Sequence, residues 1–365
     1  MAVFALASAA PPPYKERWVP KYFYDEDGSS LLITDLKFPS AQRGIASGMI
    51  TSQKKEKPVV VITNDGGERW QVVPVKEAPI SIFMLEDGTG WMVTEKAIWK
   101  TEESGRSWRK LNNSPKGMLR VWFTGREHGW AVGVRKQVFE TSDGGAAWIP
   151  LAAAAEPKTN PEYTTYGTIS FGDSQDGIIA GWSDFPGQDS NGPGWVDPEK
   201  ARKRKQIPTT LSLLQTRNGG KTWMTSITSI FGRVTSVSLA ANGSSLGLIQ
   251  FTDNFAWPSE VFLMDAYDGG KSKRVFREAN RSISDVLLTG SGTAYLAGSE
   301  TTSVIHDSPI PGKLKILTSR NYQTWNEMPV DYRAEAHRAM MAGPDEQNVW
   351  VATDTGMILK LVRNQ

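Results

Sequence analysis

Four arginines stand just before runs that read as β-strands: Arg120 before Val121-Trp-Phe, Arg233 before Val234-Thr-Ser-Val, Arg281 before Ser282-Ile-Ser-Asp-Val and Arg338 before Ala339-Met-Met. A guanidinium group offers forked N–H donors that match a carboxylate two at a time. Four of them on one surface would suit an acidic peptide or protein. A second positive cluster, Lys200, Arg202, Lys203, Arg204 and Lys205, follows Trp195. It lies in a stretch, 183–207, that has no strand periodicity and reads as an inserted loop. Such a cluster suits an acidic protein, anionic headgroups or nucleic-acid phosphate.

Other chemistries are poorly served. Cysteine is absent and only three histidines occur, at dispersed positions. Thiolate sites, disulfides and a multi-histidine zinc centre are therefore excluded or disfavoured. Asp189-Ser-Asn-Gly192 begins like a calcium loop, but the later carboxylates are wrongly spaced. No metal or cofactor site is implied, and no catalytic residue is assigned.

The elements that would position the arginines follow from composition and repetition. The chain has 365 residues, 39% hydrophobic and 22% charged, with 41 basic against 39 acidic side chains. That balance fits a folded globular chain and argues against non-specific nucleic-acid binding by the whole surface. Residues 1–13 read as the apolar end of a secretory signal, or a disordered Ala/Pro leader, with small residues at Ala7-Ser-Ala9 and then Pro11-Pro-Pro13. The expected location is periplasmic or extracellular. No run of 18 apolar residues suggests a membrane-spanning helix.

Self-similarity is the strongest signal. Val121–Trp148 reads as an apolar strand, a polar turn, a Gly-x-Ala-x-Gly strand, an alternating strand, an Asp-Gly-Gly turn and a tryptophan. Period-two alternation with glycine-rich turns indicates antiparallel β-structure. The turn recurs with Asp65 and Trp70, Trp108, Asp143 and Trp148, Asn218 and Trp223, Asp268 without a tryptophan, and Asn321 with Trp325. Asp or Asn closes such a turn by accepting backbone N–H groups, glycine supplies positive φ, and tryptophan adds a large apolar wedge. Each of these tryptophans is expected to be buried between neighbouring sheets.

This Ser/Thr-x-Asp-x-Gly-x-x-Trp pattern resembles the Asp box, or bacterial neuraminidase repeat. The resemblance places the turn between the third and fourth strands of a propeller blade, away from the ligand face, and gives it a structural role. Gly129-Trp-Ala-Val-Gly133 followed by Phe139-Glu-Thr-Ser-Asp-Gly-Gly145 is similar to the blade consensus of the photosystem II assembly/stability factor family. That family is non-catalytic, forms seven-bladed propellers and binds partners through an arginine-rich surface. The resemblance implies a thylakoid-lumen location where the host is photosynthetic.

The repeat units fall at about 31–75, 78–113, 116–152, 163–227, 232–276 and 281–328, with a seventh of three strands at about 337–363. The expected architecture is all-β: a seven-bladed propeller of four-stranded antiparallel blades. It occupies 14–365 as a single domain, and Trp18–Tyr24 supplies the missing strand. In such a ring the first strands are innermost, so Arg120, Arg233, Arg281 and Arg338 would gather at one mouth of the central channel. The function expected is an exported, monomeric, non-catalytic platform for an acidic protein or peptide. The alternative is a glycan-active or glycan-binding, sialidase-like propeller. The Arg-Ile-Pro motif of sialidases is absent.

Overall fold

The computed structural model describes residues 16–53, 55–184, 208–251, 257–265, 272–301, 312–331 and 333–363. These form seven four-stranded antiparallel sheets. Six blades take consecutive strands over 29–74, 79–110, 118–150, 164–230, 233–276 and 281–327. The first strand of each is innermost. The long interval after the third box holds two short 3-10 turns, Ala152–Ala155 and Pro161–Tyr163, and no eighth blade among the described residues. The second strand of blade 4 includes Ser183, which the loop expected at 183–207 takes in; residues 185–207 lie outside the described residues, as does the 1–13 leader.

The seventh blade joins the two ends of the chain. Ala339–Asp345, Asn348–Thr353 and Met357–Arg363 supply three strands, and Glu16–Phe23 adds the outermost. Trp18 sits opposite Leu361 and is 3% exposed. Glu16 and Arg363 pair at 2.8 Å. Closure covers the Met357–Arg363 edge of the last blade with the start of the chain.

Aromatic stacking holds neighbouring blades together. Trp91 of blade 2 stacks on Phe123 of blade 3 at 3.5 Å between ring centroids, and its indole N–H donates to the Gly144 carbonyl. Trp130 stacks on Phe171 of blade 4 at 4.6 Å, and Trp350 of blade 7 on Phe38 of blade 1 at 3.7 Å. A box tryptophan then meets each phenylalanine edge-on: Trp148 on Phe123, Trp223 on Phe171 and Trp70 on Phe38. The full burial expected of the box tryptophans belongs instead to the second-strand Trp91, Trp130 and Trp350; Trp70, Trp108, Trp148, Trp223 and Trp325 are half-buried. They cap the stack from the outer side of the turn, so one edge stays in solvent.

The Gly-x-Ala-x-Gly strand has a steric origin. A Cβ on Gly129 would lie 2.4 Å from the Phe123 ring, and one on Gly177 2.4 Å from Phe171. The second glycine meets backbone: a Cβ on Gly133 would stand 2.1 Å from the Gly117 carbonyl oxygen, and one on Gly298 2.1 Å from that of Ser282. Close approach follows because the inner strand carries a β-bulge there.

Trp91→Ala is expected to cost about 3–5 kcal/mol in chemical denaturation, by removing a fully buried wedge. Trp148→Ala is expected to cost less, about 1–3 kcal/mol, because part of its surface is already in solvent. Equal losses would assign both rings the same role. Deleting residues 1–23 is expected to expose the Met357–Arg363 edge and cause aggregation; a monomer with an unchanged Tm would show that the outer strand is dispensable.

Candidate functional site

The box turns are built as self-contained locks. The Thr63 hydroxyl accepts the Gly67 N–H at 3.0 Å, and Asp65 accepts the Arg69 N–H at 2.9 Å. Thr141 with Asp143 and Thr216 with Asn218 repeat the pattern on Gly145 and Ala147, and on Gly220 and Thr222. Asn321 accepts the Gln323 and Thr324 amides. The Arg69 backbone amide, then its guanidinium, bring the Asp65 carboxyl down to about 2. In blade 2, Glu103 replaces the aspartate and bonds the Ser107 hydroxyl instead, at 2.7 Å. All these oxygens are engaged within their own turn, which supports a structural role. Asp268 lies outside the described residues, as do Lys200, Arg202, Lys203, Arg204 and Lys205.

Inner strands start on the face opposite the boxes, because they run parallel to the third strands that end in them. The structure places all four arginines there, with one correction of position. Arg120 is the third residue of Met118–Phe123, and Arg233 and Arg281 are the first residues of Arg233–Leu239 and Arg281–Leu288, rather than preceding their strands. Only Arg338 stands before its strand, Ala339–Asp345.

Their surroundings differ. Arg120 projects into the channel: its Nε donates to the Gly167 carbonyl of blade 4 at 3.2 Å, and Nη1 lies 3.9 Å from Asp35 of blade 1. Arg233 is clamped by Asp184 at 2.8 and 3.3 Å, with its guanidinium 5.8 Å above the Trp182 ring. Arg281 turns into its own blade, 2.9 Å from Glu327, 3.7 Å from Glu300 and 4.0 Å from Glu278. Arg338 is exposed, and no side-chain partner engages it among the described residues. Thus Arg338 is exposed, Arg233 and Arg120 keep 36% and 29% of their side chains accessible while each is held by a neighbour, and Arg281 is committed to blade 6. Leu32, Ile80, Val134 and Tyr163 share this face and are between 36% and 49% exposed. Guanidinium groups beside apolar side chains can hold an acidic segment that also carries apolar residues. Among the described residues no group of three or more potential metal ligands occurs.

Two residues that sequence reasoning missed organise the channel. Asp35 and Asp285 stand just after the bulges of blades 1 and 6. One Asp35 oxygen accepts the Leu36 N–H at 2.9 Å, and the other accepts the Ile82 N–H of blade 2 at 3.0 Å. Asp285 does the same with Val286 and with Met341 of blade 7. The junctions between follow suit. Ser81 donates to Leu119, Ser170 accepts from Leu239, and Ser238 accepts from Leu288. The signal was present as two near-identical tetrapeptides, Ile33-Thr-Asp-Leu36 and Ile283-Ser-Asp-Val286.

Burial pushes the Asp35 carboxyl up, but Lys37, Arg120 and the Ile82 amide outweigh it, so the net shift is downward. A carboxylate held below its unfolded value of about 3.9 stabilises the fold above that pH and loses the contribution as pH falls through the lower folded value. Asp35→Asn is expected to cost about 1–3 kcal/mol at pH 7. It is also expected to flatten the fall in Tm between about pH 4 and pH 2. Parallel acid limbs in the two proteins would place the titrating group elsewhere.

The family described as photosynthesis system II assembly factor YCF48 matches residues 110–186. Among solved structures, one of YCF48 bound to D1 peptide is 14% identical, with 99% of this chain and 100% of that chain covered at a TM-score of 0.60. YCF48 from Cyanidioschyzon merolae is 15% identical, with 95% and 98% covered and a TM-score of 0.58. An ancestral GH74 enzyme is 11% identical over 93% of this chain and 46% of its own, at a TM-score of 0.57. A comparison with curated protein sequences gave no match. At such identities the structural likeness is one of fold alone. The chain is a seven-bladed Asp-box β-propeller that resembles the photosystem II assembly factors.

Proposed function

We propose that the chain is a non-catalytic binding platform that takes an acidic protein or peptide segment on the face opposite the Asp boxes. The observation that carries this reading is the mouth of the channel. There Arg338 is exposed with no carboxylate partner among the described residues, and Arg120 keeps 29% of its side chain accessible, on the face that also exposes Leu32 and Ile80. One exposed arginine beside others that are only partly occupied invites an external anion, and apolar neighbours add area that can be dried on binding. The solved YCF48 that carries a D1 peptide supports a peptide as the kind of partner.

The glycan-active alternative would require a nucleophile and an acid within a few ångströms of the arginines, in a pocket that holds a sugar ring. The hydrogen-bond and ion-pair partners of Arg120, Arg233 and Arg281 given above are carboxylates and backbone carbonyls, with no tyrosine hydroxyl among them. The composition of residues 1–13 supports export, which cell fractionation of the natural host tests directly.

Arg338→Glu combined with Arg120→Gln is expected to weaken binding of an acidic peptide probe at least about tenfold, with the fold retained by circular dichroism. Wild-type binding is expected to weaken as salt rises. Salt-independent binding that survives the double substitution would move the site off this face. Turnover of a fluorogenic sialoside, lost in Arg281→Ala, would establish the enzyme instead.

A further inference from the structure

The outer strands of the blades are not alike. In blades 2, 3 and 6 they are two residues long. In blade 1 the outer strand, Gln71–Pro74, ends in proline; in blade 5, Ser272–Phe276 carries Lys273 and Arg274; in blade 7, Glu16–Phe23 carries Glu16, Arg17, Pro20 and Lys21. Short length, proline and charge each keep an open sheet edge from pairing with another chain. Blade 4 lacks all three. Its outer strand is Met224-Thr-Ser-Ile-Thr-Ser-Ile230, seven residues with no charge and no proline. Met224 is 56% exposed and Ile227 51%. Its inner side pairs along its whole length with Thr209 to Gln215, while among the described residues nothing takes up the outer row of backbone groups from Met224 to Ser229.

We infer that this edge pairs with the same edge of a second copy, in an antiparallel two-fold register centred on Ile227. The sequence is self-complementary about that residue. Ile227 faces its own copy, Met224 faces Ile230, Thr225 faces Ser229 and Ser226 faces Thr228. Apolar side chains meet apolar ones and hydroxyls meet hydroxyls. Slipping the register by one residue sets Ile227 against a hydroxyl, so the pattern selects this alignment. Charge is also compatible. The strand behind, Thr209–Thr216, carries none. Among the described residues, the carboxylate bonded to this edge is Glu156, which accepts the Thr225 hydroxyl at 3.1 Å. The two copies of Thr225 are offset by four residues, about 13 Å along the strand. That exceeds the screening length of about 8 Å at physiological salt, so the two Glu156 groups do not oppose docking.

Seven residues a side fall well short of the roughly 20–30 a side of a standard stable interface. The dimer is therefore reversible and concentration-dependent, and the monomer expected from sequence is its dilute form. The edge lies on the rim of the ring, so dimerisation leaves the arginine-bearing face free.

Sedimentation velocity on the full chain, from about 5 to about 200 μM, tests the inference across the range expected of a small interface. The wild type is expected to shift from monomer to dimer with concentration. Ile227→Lys and Ile227→Glu are each expected to remain monomeric, with association weakened at least about tenfold and Tm unchanged, because like charges then face each other at the axis. An equimolar mixture of the two is expected to dimerise again, since lysine then meets glutamate. A wild type that stays monomeric throughout overturns the inference. So does an Ile227→Lys protein that associates like the wild type, or a mixture that associates no better than its components.

Discussion

The stack of Phe38 on Trp350, with centroids 3.7 Å apart, joins the first blade to the seventh. A propeller is a ring, and every junction in it must be satisfied at once. The same geometry recurs where Trp91 meets Phe123 and Trp130 meets Phe171. At these three junctions a flat aromatic wedge helps set the angle between neighbouring blades. The outer strand of the last blade, from the beginning of the chain, then fastens the two ends with an antiparallel ladder rather than with side chains alone.

Tight stacking dictates composition elsewhere. The phenylalanine that receives each indole also lies across the start of the next strand, so that position must be glycine; Gly129 and Gly177 are there for want of space. The bulge in the inner strand brings a carbonyl against the second glycine and turns a polar residue toward the channel. Asp35 and Asp285 occupy that position in blades 1 and 6 and bond amides of the neighbouring blade. The channel is therefore lined with polar groups already engaged in holding the ring.

That engagement bears on function. A cation in the channel serves architecture before it serves a ligand, and Arg120 illustrates both. It tethers blade 4 through the Gly167 carbonyl and keeps part of its guanidinium accessible. Arg281, surrounded by Glu278, Glu300 and Glu327, has its charge balanced inside the blade. Arg120 follows the bulge of its inner strand and Arg281 opens its own, so the two differ in backbone position as well as in availability. The difference in availability comes from carboxylates supplied by strands and loops distant in sequence.

The sequence by itself determined the repeat, the number of blades, the Asp-box turns and the closing strand. Each is a local pattern or a count: period-two alternation, a Thr-x-Asp-x-Gly lock whose partners lie within about four residues, and a last unit one strand short. It also determined that the four arginines would share a face, because strand direction follows from connectivity. Only the tertiary structure decided which tryptophans are fully buried, since the wedge depends on a phenylalanine contributed by the next blade. Likewise, only the fold could show that Asp184 holds Arg233 and that Glu327 holds Arg281, or that Asp35 reaches Ile82. Those pairs are 46 to 49 residues apart. At that separation, contact is set by how blades pack and by which side chain reaches across, and no spacing in the sequence encodes it.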